Sequence, residues 1–271
     1  MEHLNNESIE FLLNHPKTGH ITSHVNAETI ERRSFSPKKI KIFSSKYTRV
    51  KDCLEYKLSN NKEAEKQLPD VITNNVQRIV SEDKNLQSVN QAFEKRRNIG
   101  VFFSGGPAPG GHNVIAGLYD EVKKYNSESK LFGFLSGPDG LLESRYIEIT
   151  QSLVDAYRNM GGFSMIKTGR TKIDSADKME SSLKTCMDLE LDALVVIGGD
   201  DSNTNAVFLA QRFKSAGIKV IGVPKTIDGD IQVKTDDKET LCAISFGFHT
   251  AARAFSQNIS NLTTDASSDI K

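Results

Sequence analysis

From residue 98 onward the chain repeats one pattern: a short apolar run, a glycine-rich or acidic loop, then a stretch with helical spacing. The apolar runs are residues 99–103, 131–135, 193–197 and 220–223, each too short for a helix and bounded by turn-forming residues. Helical spacing follows at 112–124, 151–160, 176–191 and 203–215, and residues 239–258 predict a long last helix. Short apolar strands separated by helices predict an α/β fold: a parallel sheet with helices on both faces and right-handed crossovers. Gly137-Pro138-Asp139-Gly140 reads as a turn.

Residues 1–97 have a different composition, rich in Lys, Asn, Ser and Glu, with short apolar clusters such as Phe11-Leu12-Leu13. They read as an N-terminal extension that packs on a main domain spanning 98–271 without a full core of its own. Within the extension, Leu68-Pro69-Asp70-Val71-Ile72 reads as a turn or short strand, and 90–97 as a short helix ending in basic residues.

Lys plus Arg and Asp plus Glu both total 35, so no overall field recruits nucleic acid or an anionic membrane. No run approaches the ~20 apolar residues that span a bilayer. Cys53, Cys186 and Cys242 are odd in number and widely spaced, which suits reduced thiols rather than a disulfide frame or zinc site. The N-terminus lacks the basic start and apolar stretch of a signal peptide. These features predict a cytoplasmic protein.

Two acidic loops carry the chemistry. Gly198-Gly199-Asp200-Asp201-Ser202-Asn203-Thr204 follows one apolar run, and Pro224-Lys225-Thr226-Ile227-Asp228-Gly229-Asp230 follows the next. In a parallel sheet both emerge at the carboxyl edge, where such folds bind ligands. Carboxylates beside phosphate-cradling backbone predict Mg²⁺-assisted phosphoryl transfer, because the metal offsets repulsion between two kinds of anion. Asp200, at the strand tip, is the candidate metal ligand, and Ser202, Asn203 or Thr204 is expected to cap the next helix. The alternative is that Asp200 and Asp201 serve only the helix dipole. Asp201 places a second fixed carboxylate at the helix start, which opposes a long polyphosphate tail and favours a shorter donor.

In the second loop, Asp228 and Asp230 share a face if the segment is extended, with Gly229 permitting the turn that aims them. One of these carboxylates can accept a proton from a sugar hydroxyl. Lys225 can neutralise the transferring phosphoryl group, and Thr226 can donate to phosphate or sugar. An ordinary Asx-rich turn with an exposed lysine is the other reading.

Gly105-Gly106-Pro107-Ala108-Pro109-Gly110-Gly111 precedes a helix whose start should offer free N–H groups to an anion, although a tight turn holding no ligand fits the same residues. It matches neither common nucleotide-binding fingerprint. Arg170, in the hydroxyl-rich and basic loop 161–172, can grip phosphate with its planar fork, or simply face solvent. His112 and His249 read as structural.

In order and spacing, Gly105–Asn113, Gly161–Ile173, Gly198–Thr204, Pro224–Ile231 and Ile244–Phe248 resemble the phosphofructokinase family, above all its long, pyrophosphate-dependent branch. The resemblance covers about residues 98–271. ATP-dependent members have glycine where this chain has Asp201 and where it has Lys225. The resemblance implies phosphoryl transfer from pyrophosphate to the 1-hydroxyl of fructose 6-phosphate, reversible and glycolytic, with Mg²⁺. It implies Asp228 as base, Asp200 as Mg²⁺ ligand and Lys225 on the transferring phosphoryl. Gly105, Gly106 and Asp201 would lie at pyrophosphate, and Thr226, Asp228, Asp230 and Arg170 at the sugar phosphate.

Family chains continue to a Met-Gly-Arg motif and further sugar-phosphate ligands that this sequence lacks. The expectation is therefore a second lobe largely missing, weak sugar-phosphate binding and exposed apolar surface. Association as a homo-oligomer, a dimer above all, or with a full-length homologue is expected. The other readings are a non-catalytic or regulatory subunit and an ATP-dependent 6-phosphofructokinase.

Overall fold

The alternation read from the sequence becomes, in the computed structural model, a seven-stranded and mostly parallel sheet with helices packed on both faces. Residues 30–36, 38, 40–44, 48–56, 62–81, 94–234, 238, 240–242 and 245–268 are described. Helix α1 (Lys41–Ser44), strand β1 (Thr48–Asp52), helix α2 (Lys62–Gln67) and strand β2 (Gln77–Ser81) come first. β1 and β2 pair antiparallel and leave Val50 and Ile79 exposed, so little core forms beneath them. The main sheet and its helices are β3 (Asn98–Ser104), α3 (Gly111–Tyr125), β4 (Lys130–Phe134), α4 (Pro138–Leu142), β5 (Tyr146–Glu148), α5 (Gln151–Tyr157), β6 (Thr168–Gly169), α6 (Ala176–Asp188), β7 (Ala193–Gly198), α7 (Asp200–Phe213), β8 (Lys219–Thr226), β11 (Phe246–Gly247) and α8 (Phe248–Ser267). A separate antiparallel pair, β9 (Val233–Lys234) and β10 (Thr240–Cys242), lies between β8 and β11 in the chain.

Strand order is β11-β8-β7-β3-β4-β5, with β6 pairing against the end of β3 where β4 has diverged. Only β5 runs antiparallel, against β4. Successive strand residues point to opposite faces. Val101, Phe103, Val195 and Ile197 therefore pack with Ile115 and Ala116 of α3 and Leu153 and Val154 of α5. Phe102, Leu194 and Val196 pack with Leu183 and Cys186 of α6 and Leu209 and Phe213 of α7. Burying each of the Val, Leu, Ile and Phe side chains contributes about 1.5–3 kcal/mol, and two filled faces hold the strand ends in fixed register. Residues before β3 touch this body at Gln211 of α7, which accepts from Asp70 N at 3.0 Å and donates to the Asp70 carboxylate at 2.7 Å, and at Asn159, whose Nδ2 donates to Arg32 O and Phe35 O, both at 2.8 Å.

Several expectations need correction. Gly137, with φ 73°, makes the expected turn, but Pro138 then opens the one-turn helix α4, as proline suits a first helical position. α5 and α6 end at Tyr157 and Asp188, short of 160 and 191. α7 begins at Asp200 rather than 203, and β8 runs on through Pro224-Lys225-Thr226 instead of ending at 223. The helix expected over 239–258 is displaced: β10 occupies its start and α8 spans 248–267. Of the two readings of 68–72, the turn holds, over 69–73, whereas 95–97 are not helical as expected. Phe11-Leu12-Leu13 and residues 90–93 lie outside the described residues. Cys53 and Cys186 carry buried free thiols. Among the described residues, no helix is long and apolar enough to cross a membrane.

Candidate functional site

Four segments meet at one rung of the sheet, three ending there and β8 running two residues further. Ser104 of β3 pairs with Gly169 of β6 on one side and Gly198 of β7 on the other, and Gly198 pairs with Pro224 of β8. The glycine loop, the Arg170 segment and both acidic loops therefore start side by side at the carboxyl edge.

The glycine loop is held by its neighbour rather than left open. Gly105, in the left-handed region at φ 82°, donates its N–H to Gly169 O at 2.8 Å, and Thr168 Oγ1 donates back to Gly105 O at 2.8 Å. A methyl group on Gly106 would lie 3.7 Å from Arg170 Nη2, so the guanidinium sits over this glycine. The expected free N–H groups of α3 are partly taken. His112 N donates to Gly162 O at 3.2 Å, and Asn113 N to Gly110 O at 3.0 Å. The His112 ring is buried, with Nε2 accepting from Met165 N at 3.1 Å, and burial pushes its pKa down to about 4. It is structural, as expected. His249 is exposed at the start of α8, its ring 5.7 Å from that of Phe248.

Asp200 and Asp201 form the first turn of α7 and are exposed there, a position the helix dipole favours. Gly199 is the capping residue and makes no side-chain cap. The three residues expected to cap do other work or none: Ser202 turns inward to donate to Ser104 Oγ at 2.9 Å, and Asn203 Nδ2 donates to Gly198 O and Gly199 O, both at 2.8 Å. Asp201 pairs with Lys172, Oδ2 to Nζ 3.4 Å.

Lys225 gathers the charged groups. Burial lowers its pKa, Asp228, Asp200 and Asp230 act to raise it, and Arg170 acts to lower it, so all four lie within electrostatic reach of one ammonium. Thr226 beside it is buried, and its hydroxyl accepts from Asp228 N at 3.0 Å, leaving the hydroxyl proton for another acceptor. Asp228 and Asp230 do not share an extended face. The chain bends over 227–229, with Gly229 at φ 74° and too close to Phe248 to carry a side chain. Asp200 offers exposed carboxylate oxygens, a hard donor that fits Mg²⁺, which takes one or two protein carboxylates and completes its shell with water and phosphate. Among the described residues, no three His, Cys, Asp or Glu side chains form an all-protein metal cage.

A polar cleft of about 260 Å³ is lined by Ser104, Gly105, Arg170, Lys172, Asp201 and Asn205, among others. A larger, more apolar cleft of about 850 Å³ lies against Pro107, Pro109 and Gly161–Phe163, and none of the carboxylates of the two acidic loops lines it. Of the two, the smaller space joins cations, the glycine loop and the Asp201 carboxylate, while Asp200, Lys225, Thr226, Asp228 and Asp230 lie outside its lining. Sequence reasoning included Ser104 and Lys172 in the segments 103–113 and 161–172 but gave neither a role, and it missed Asn205. Asn205 had one signal: it stands four residues after Asp201, on the same helix face.

A strand–loop–helix edge of this kind, with a glycine loop and two acidic loops on one rung, belongs to the open α/β class that binds ligands at the carboxyl ends of its strands. Residues 98–271 match the phosphofructokinase family model, and the chain belongs to the phosphofructokinase family. It is similar to the pyrophosphate–fructose 6-phosphate 1-phosphotransferase of Porphyromonas gingivalis, 56% identical over 173 residues, covering 63% of this chain and 30% of that protein. It is also similar to an Arabidopsis thaliana protein named as subunit beta 2 of that transferase, 47% identical over 184 residues, covering 67% of this chain and 31% of the other. The solved phosphofructokinase of Saccharomyces cerevisiae aligns with a TM-score of 0.49 and 20% identity, covering 64% of this chain and 25% of that one. The chain thus spans about 30% of the length of the curated relatives it matches.

Proposed function

We propose that this chain transfers a phosphoryl group from pyrophosphate to the 1-hydroxyl of fructose 6-phosphate, giving fructose 1,6-bisphosphate and phosphate, reversibly and as a step of glycolysis in the cytoplasm. The observation that carries the reading is the shared rung of Ser104, Gly169, Gly198 and Pro224, which sets the glycine loop, the Arg170 segment and both acidic loops side by side, with Asp228, Arg170, Asp200 and Asp230 in electrostatic reach of Lys225. Residues 98–271 would be the catalytic domain and 1–97 an extension on it.

In this reading Asp228 accepts the proton of the sugar hydroxyl as its oxygen attacks phosphorus, and the P–O bond to the leaving phosphate breaks. Asp228 is exposed and its backbone is tied to Thr226, which suits a base that must reach an incoming hydroxyl. Lys225 stabilises the charge spread over the transferring group, and its partial burial strengthens that interaction. Thr226 and Asp230 orient the sugar, Arg170 grips phosphate above Gly106, and Gly105 and Gly106 admit pyrophosphate closely. Asp200 would hold Mg²⁺, which supplies charge neutralisation on the diphosphate when bound. Asp201 keeps longer donors out.

The test is turnover with each donor, scored by fructose 1,6-bisphosphate formation. Turnover is expected with pyrophosphate and none with ATP, whereas robust ATP-dependent turnover overturns the reading and favours an ATP-dependent 6-phosphofructokinase. A second reading, a non-catalytic or regulatory polypeptide that completes its site with another copy or a full-length homologue, is favoured by α8. There Phe255, Ile259 and Leu262 form an exposed apolar stripe at helical spacing. Assaying the chain alone and then mixed with a full-length homologue separates the two.

A further inference from the structure

The backbone of Ile173 is gripped by one side chain. Asn205 Oδ1 accepts from Ile173 N at 3.1 Å, and Asn205 Nδ2 donates to Ile173 O at 2.7 Å. Asn205 shares a face of α7 with Asp201, so this clamp sets the preceding residue, Lys172, opposite Asp201. From the other side, Lys178 Nζ donates to Lys172 O at 2.8 Å and pairs with Asp174, also at 2.8 Å. Held at two points, Lys172 extends its ammonium to Asp201 Oδ2 at 3.4 Å, and both residues line the polar cleft that Ser104, Gly105 and Arg170 also line. The two side chains are 61% and 76% exposed, so as a stabilising contact the pair contributes little. Its placement is what counts.

We propose that Lys172 is a specificity-determining residue of this site. Paired with Asp201, it bars one end of the cleft, so that a phosphoanhydride no longer than a diphosphate fits between α7 and the glycine loop. This inference rests on the pyrophosphate reading and extends it from Asp201, which alone at an exposed helix start would turn out to water. The pair fixes the carboxylate where it blocks.

Two effects of removing the lysine oppose one another, which makes the test sharp. If Lys172 merely attracts anions, Lys172→Ala weakens a more highly charged, longer donor the most. If it fixes a bar, Lys172→Ala releases Asp201 and admits the longer donor. Calorimetric titration of the 271-residue chain with imidodiphosphate and tripolyphosphate, at one ionic strength, reads the ratio of their affinities.

The unsubstituted chain is expected to prefer imidodiphosphate, and Lys172→Ala to shift the ratio toward tripolyphosphate by about fivefold, the upper range for an exposed pair. Lys172→Arg, which keeps a cation in reach of Asp201, should retain the original ratio. In an Asp201→Asn background Lys172→Ala should have no further effect. A ratio that stays put or moves toward imidodiphosphate overturns the proposal, as does an equal shift in the Asp201→Asn background or an unsubstituted chain that binds both alike. Failure of the unsubstituted chain to bind imidodiphosphate overturns the pyrophosphate reading itself.

Discussion

Ser202 donates its hydroxyl hydrogen bond to Ser104 Oγ at 2.9 Å, and this buried contact ties the first turn of α7 to the last residue of β3. It joins the element that carries Asp200 and Asp201 to the one that feeds the glycine loop. The contact needs space at Gly198, where a methyl group would lie 2.5 Å from Ser202 Oγ and 2.6 Å from Ser104 O. Gly198→Ala is expected to cost about 1–3 kcal/mol, the usual penalty for overpacking a filled site. Urea denaturation measures it, and an unchanged midpoint would count against this account of the edge.

Asp228→Asn keeps the shape of the side chain and removes its proton acceptance. The expected loss in kcat is about 10²–10⁴. Steady-state kinetics with pyrophosphate decide it, and near-normal turnover would take Asp228 out of the mechanism.

Lys225→Met removes charge that the proposed mechanism uses mainly in the transition state. The expected result is a fall in kcat that exceeds any rise in the KM for pyrophosphate. Burial lowers the lysine's pKa, so the alkaline limb of kcat/KM should begin below the ~10.4 of an ordinary lysine. Asp230 acts to raise that pKa, so Asp230→Asn should move the limb to still lower pH. A limb that stays fixed in the variant would assign it to another group.

His112 supplies a stability signature. Its pKa falls from 6.5 to about 4 on folding because the ring is buried. Above 6.5 neither the folded nor the unfolded state carries the proton. As pH falls from 6.5 to 4 the unfolded chain gains a proton that the folded chain does not, and stability drops by up to about 3 kcal/mol. Melting curves across this window should show the drop, and His112→Gln should flatten it, whatever the baseline stability of the variant.

The central strands were legible because β3, β4 and β7 are covered on both faces, and a strand buried twice is apolar at nearly every position. β5 and β6, with three and two residues, are too short to leave any pattern. The start of α7 was misplaced because Asp, Ser and Asn favour loops in isolation, whereas here the helix dipole accommodates Asp200 and Asp201 and the core draws Ser202 inward. The adjacency of the two acidic loops could be read because each follows a central strand of a parallel sheet. The pairing of Lys172 with Asp201 and the grip of Asn205 on Ile173 join residues 29 and 32 positions apart, and no local pattern announces such contacts.

Ser104, Gly169, Gly198 and Pro224 stand at the same height, with β8 running two residues further, which makes the strands a measuring device for the loops beyond them. Removing one residue between 219 and 223 would shift β8 by half a pleat and swing Lys225 to the opposite surface of the sheet. Lys225 would then take the place of Pro224 beside Gly198, and Thr226 would face Phe246 of β11, where Lys225 now pairs. Attempts to lengthen or shorten this molecule near its carboxyl edge must therefore edit strands two residues at a time, or leave them alone.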